Sequence, residues 1–101
     1  MRVDVVGSSL EITDAIREHA EGRAAKLPRY FDGTQQITFT ISRADDHHGF
    51  HVELIVDVEK SPAFVSHATD DDLYAAIDMV TQKGVRQLTD FKEKLKVSKH
   101  R

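Results

Sequence analysis

The chain has 101 residues, 40% hydrophobic and 31% charged, which sets the expectation of one globular domain with a core of its own. It contains no cysteine, so disulfides, thiolate nucleophiles and cysteine-based zinc sites are excluded. The net charge of −3 argues weakly against nucleic acid as a single number, but residues 83–101 hold seven Lys/Arg against two acids, a local +5 that leaves −8 for the rest. A basic end of this kind either touches an anionic partner or serves a helix dipole at its C-terminus. No apolar run approaches membrane length, and the opening MRVDVVGSSLEITD lacks a signal-peptide core, so a cytoplasmic protein with no membrane partner is expected.

In chain order, RVDVV (2–6) is β-branched and partly alternating and predicts a strand. Thr13 then reads as a helix cap, with Asp14 in the first turn. Ile12, Ile16, Ala20, Ala24, Leu27 and Phe31 recur at helical spacing. Gly22 weakens that helix, and Pro28 should end it near Leu27 or open a new short turn. QITFTISR (36–43) and FHVELIVDVEK (50–60) alternate apolar and polar residues, and FVSHAT (64–69) predicts a fourth strand. Thr69 or Asp70 is placed to cap a last helix from Asp71 to about Val97, with Asp70, Asp71 and Asp72 at its positive end. Leu73, Ile77, Val80, Gly84, Leu88, Phe91 and Leu95 form its apolar seam. Such a helix is about 40 Å long, so its basic end should overhang a domain of this size. The order β-α-β-β-β-α predicts an α+β two-layer sandwich, a four-stranded sheet with both helices on one face. Thr38, Thr40, Ser42, His51, Glu53, Asp57 and Glu59 should line the other, polar face.

RADDHHGFHVE (43–53) gathers Asp45, Asp46, His47, His48 and His51, residue types that ligate metals or move protons. They flank Gly49 between two alternating strands, where a solvated hairpin is the simpler reading and a zinc module at His47, His48 and His51 the lesser alternative. His67 and His19 read as structural, although His19 lies beside Arg23. No nucleophile–base set, Walker loop, dinucleotide fingerprint or H-E-x-x-H occurs, so no enzyme, cofactor or small-molecule substrate is expected.

On a helical wheel Lys83, Arg86, Asp90 and Lys94 form one stripe of the last helix, and Lys92, Lys96 and Lys99 a second row. Arg23, Lys26 and Arg29 lie close together on the first helix. Two helices packed on one sheet face would bring these cations toward a shared groove, and such rows suit phosphate contacts. Tyr30 and Phe91 are the nearest aromatics, and Phe91 is expected in the core, so backbone and shape recognition of folded RNA fits better than base stacking.

LEITDAIREHAEGRAAKLPRYFD (10–32) and DLYAAIDMVTQKGVRQLTDFKEKLK (72–96) resemble the two helical segments of the short ribosome hibernation-promoting factors, also called ribosome-associated inhibitors or sigma-54 modulation proteins. The resemblance covers nearly the whole chain and implies the β-α-β-β-β-α fold and a single ribosome-binding domain over residues 1–101, without the C-terminal dimerisation domain of long members. It further implies a translation inhibitor of stressed or stationary cells. Such a protein occupies the RNA channel between head and body of the small ribosomal subunit, in contact with ribosomal RNA. The implied contacts are Arg23 and Lys26 on the first helix and Lys83, Arg86, Lys92, Lys94 and Lys96 on the last, with Arg17 also matching. Asp90 stands where relatives often carry lysine, and Gly84 and Pro28 are further departures. A protein–protein regulator on the same scaffold is the alternative.

Overall fold

The computed structural model describes residues 1–29, 32–45 and 48–99, with side chains as far as Lys96. Tyr30, Phe31, Asp46 and His47, singled out above, lie outside the described residues, as does the side chain of Lys99. The elements are β1 (Arg2–Gly7), α1 (Asp14–Ala24), a 3-10 turn (Leu27–Arg29), β2 (Thr34–Arg43), β3 (Phe50–Val58), β4 (Phe64–Asp70) and α2 (Leu73–Lys99). They form the expected α+β two-layer sandwich, with a mixed sheet in the order β1-β2-β3-β4. β1 runs parallel to β2, and the other neighbours are antiparallel.

Strand alternation decides which face takes the helices. Ile37, Phe39 and Ile41 of β2 pair with Val56, Leu54 and Val52 of β3, and all six are buried. Ile16, Ala20, Ala24 and Leu27 meet this face from the first helical segment, and Leu73, Ala76, Ile77, Val80 and Leu88 meet it from α2. Each large apolar side chain so buried contributes about 1.5–3 kcal/mol. A bulge between Thr34 and Gln36 inserts one extra residue, so Thr34 is buried although strict alternation would turn it outward. Thr38, Thr40, Ser42, His51, Glu53 and Asp57 lie half-buried on the opposite face, while Glu59 falls beyond the end of β3.

Helix ends differ from expectation in two places. Thr13 does cap α1, its hydroxyl accepting from the Ile16 N–H at 3.3 Å. The α-helix stops at Ala24, earlier than Leu27, because the Pro28 ring would clash with the carbonyl four residues back in a continuing helix. The chain tightens instead through Lys26 N–H to Arg23 O and Arg29 N–H to Lys26 O. At α2 the cap is Asp72, whose Oδ1 accepts from the Tyr74 N–H at 3.0 Å. Thr69 and Asp70 are unavailable as caps because β4 pairs with β3 as far as Asp70 opposite Phe50.

Among the described residues of α2, Leu88 is the last that is fully buried, and Leu95 is 38% exposed. The last turns therefore leave the sheet, as the length of the helix requires, and Leu95 does not continue the buried seam. Phe91 packs edge-on to Phe64 at 5.2 Å between ring centroids.

Candidate nucleic-acid interface

His19 and Arg23 are four residues apart on α1, so both project from one face, toward α2. Asp78 of α2 receives them. Arg23 Nε donates to Asp78 Oδ1 at 2.7 Å and Nη2 to Oδ2 at 3.5 Å. His19 Nε2 lies 2.8 Å from Oδ1. The His19 ring also meets the Tyr74 ring edge-on at 4.9 Å, one helical turn before Asp78. Partial burial pushes the Asp78 carboxyl up, but the hydrogen bonds and charge of His19 and Arg23 outweigh it and hold the group below its ordinary value. The Arg23 and Asp78 side chains are 39% and 38% exposed, so the pair sits at the rim of the seam, open to an incoming ligand.

The groove between the helices is lined by Arg23, Lys26, Asp78, Thr81, Gln82 and Val85. The cations expected in one groove are thus divided. Arg23 and Lys26 lie in it, whereas Lys83 and Arg86 line a separate depression with Met79 and Gln82. Lys92 lies elsewhere, with Asp32, Gly33, Glu59, Lys60, Phe91 and Leu95. The division follows from helix geometry, since Lys83 is about 140° around α2 from Asp78. Gln82 borders both the seam and the Arg86 depression and joins them.

Lys83 has a structural engagement that the sequence did not suggest. Its Nζ donates to the His67 carbonyl at 2.5 Å, and Gln87 Nε2 donates to the Val65 carbonyl at 3.0 Å. Both carbonyls belong to β4, the edge strand, so α2 covers a row of groups that would otherwise invite another strand. Lys96 lies 3.9 Å from Glu93. Among the described residues, Lys26, Arg86, Lys92 and Lys94 carry no ion pair.

Of the hairpin histidines, His47 lies outside the described residues. His51 is on the outer sheet face, with Nδ1 2.9 Å from Thr69 Oγ1 and Nε2 3.0 Å from His67 Nδ1. Gly49, at φ 79°, makes the turn where its Cα faces the backbone of Asp70 and Asp71, at the N-terminal end of α2 and remote from the basic end. Among the described residues no group of three or more His, Asp or Glu is arranged to hold a metal ion.

Asp78 and Gln82 are the residues that reading the sequence missed. The available signal was the His19–Arg23 spacing, which aims a cation and an imidazole at whatever α2 presents.

Residues 3–96 match the family described as sigma 54 modulation protein / S30EA ribosomal protein. The chain is 36% identical over 96 residues to the ribosome hibernation promoting factor of Escherichia coli K12, covering 95% of this chain and 98% of the relative. Against the ribosome hibernation promoting factor of Azotobacter vinelandii the identity is 33%, with 93% and 85% covered. Among solved structures, the N-terminal domain of Thermus thermophilus Protein Y superposes with a TM-score of 0.79 at 35% identity, covering 90% of this chain and 99% of that one. A ribosomal subunit interface protein from Coxiella burnetii shares the fold, with a TM-score of 0.83 at 22% identity, covering 92% and 99%.

Proposed function

The chain belongs to the sigma 54 modulation protein / S30EA ribosomal protein family, and from that premise we propose that it is a non-enzymatic, cytoplasmic ribosome-binding factor that restrains translation during ribosome hibernation. The observation that carries this reading is the match along nearly the full length of proteins named ribosome hibernation promoting factor. Residues 1–101 act as a single ribosome-binding domain. The partner is the small ribosomal subunit and its ribosomal RNA, in the channel between head and body.

Contact runs through Arg23 and Lys26 at the helix seam and through Lys83, Arg86, Lys92, Lys94 and Lys96 along α2. These side chains meet phosphates, which fix position and carry no base sequence. Lys26, Arg86, Lys92 and Lys94, which carry no ion pair among the described residues, supply most of the attraction. Arg23 adds a directed contact, and Lys83 divides its role between RNA and the β4 edge.

The test is co-sedimentation of the purified protein with ribosomes on sucrose gradients at low and moderate salt. The protein is expected with the small subunit, and its absence there at both salts refutes the proposal. Arg86→Ala combined with Lys94→Ala should weaken binding and lower the dependence of log K on log salt by about two units, roughly one per lost phosphate contact. A salt-independent association would instead indicate a protein partner held by apolar contacts.

A further inference from the structure

Asp78 places a carboxylate in the middle of a surface proposed to bind a polyanion. Simple charge counting makes that a defect, and its geometry says otherwise. Asp78 takes the Nε side of the Arg23 guanidinium, with the short bond at Nε and the long one at Nη2. A guanidinium has five N–H donors in a planar fork. Holding it by that edge leaves the Nη1–Nη2 end to meet a second anion in bidentate fashion, as arginine meets phosphate. The carboxylate is itself fixed, since His19 Nε2 bonds the same Oδ1, and Tyr74 braces the His19 ring. Lys26 follows Arg23 by three residues and lines the same groove, beside the exposed amide of Gln82.

We infer that Asp78 is a positioning residue for RNA binding: with His19 it anchors the Arg23 guanidinium by one edge at the α1–α2 seam and presents the other edge to a backbone phosphate. The inference rests on the ribosome-binding reading above. Arg23 gives up freedom of rotation before binding, so less ordering remains when the phosphate arrives. One negative charge is the cost of that arrangement.

The two accounts predict opposite signs. If Asp78 merely opposes RNA, Asp78→Ala and Asp78→Asn tighten binding, because each removes an anion from the groove. If it positions Arg23, both weaken binding by about five- to tenfold at moderate salt, and the salt slope falls by about one as the Arg23–phosphate contact is lost. Asp78→Glu keeps a carboxylate within reach and restores part of the affinity. In an Arg23→Ala background, Asp78→Asn no longer weakens binding, since nothing remains to be positioned.

The experiment is binding of the full chain to purified small subunits across a salt series, with wild type in parallel and thermal unfolding of every variant recorded. Asp78→Asn, nearly isosteric, is the reading that counts where Asp78→Ala unfolds. Tighter or unchanged binding by Asp78→Asn overturns the inference and leaves the ribosome-binding proposal standing. Equal weakening by Asp78→Asn with and without Arg23 also overturns it. Failure of the wild type to bind refutes the proposal and the inference together.

Discussion

At the scale of single residues, the seam between the helices is organised by one carboxylate. The folded state holds the Asp78 carboxyl below its ordinary value, burial being outweighed by His19 and Arg23. A lowered acid pKa stabilises the fold fully above the unfolded value of about 3.9 and ceases to do so as pH falls through the folded value. The advantage of wild type over Asp78→Asn in thermal unfolding should therefore be level near pH 5 and shrink toward about pH 2. Parallel melting curves across that window would contradict the assignment. The effect is modest because the carboxylate is 38% exposed and screened by solvent. The single-residue features that were legible in the sequence are local ones, such as the Thr13 cap. Asp78 was not, because its partners are 55 and 59 residues away. The same holds for Lys83, whose bond to the β4 edge depends on where α2 crosses the sheet.

At the scale of elements, the two helical glycines separate propensity from packing. Gly22 of α1 is exposed, and a Cβ built on it meets nothing within 4 Å. Gly22→Ala should stabilise the protein by about 0.5–1 kcal/mol, the intrinsic gain of alanine over glycine in a helix. Gly84 of α2 is buried, and its Cβ would stand 2.8 Å from Leu54 Cδ2. Leu54 is fully buried and has little room to yield, so overpacking of about 1–3 kcal/mol exceeds the same helical gain. Gly84→Ala is thus expected to lower stability by about 1 kcal/mol, and urea unfolding of both variants checks the opposite signs. The sequence places Gly84 in the apolar seam and Gly22 outside it, but not how closely Leu54 approaches Gly84. The strands were legible because alternation maps directly onto the two sheet faces. The bulge before Gln36 and the Asp72 cap were not, since each is set by where strand pairing stops.

At the scale of the whole molecule, the charges are separated along α2. Asp70, Asp71 and Asp72 stand before its first turn, and Lys92, Lys94 and Lys96 crowd its later turns, about 30–36 Å further along the helix. Charges at that distance are several Debye lengths apart at physiological salt, where the length is about 8 Å. An approaching polyanion therefore meets the local +5 and not the net −3. Asp90 interrupts the basic end, and Asp90→Lys should tighten ribosome binding at low salt and steepen the salt dependence by about one unit. Unchanged affinity at low salt would place Asp90 outside the contact surface.

The order of elements, the sheet face that receives the helices and the concentration of cations near the C-terminus were legible in the amino-acid chain. These follow from periodicity and composition, which are local along the chain. Folding in three dimensions set apart Arg23 and Lys26, Lys83 and Arg86, and Lys92 on separate depressions, bonded Lys83 to an edge strand, and placed Arg23 against Asp78. Those outcomes depend on the rotation of each helix about its axis, which is fixed by packing against strands far away in sequence.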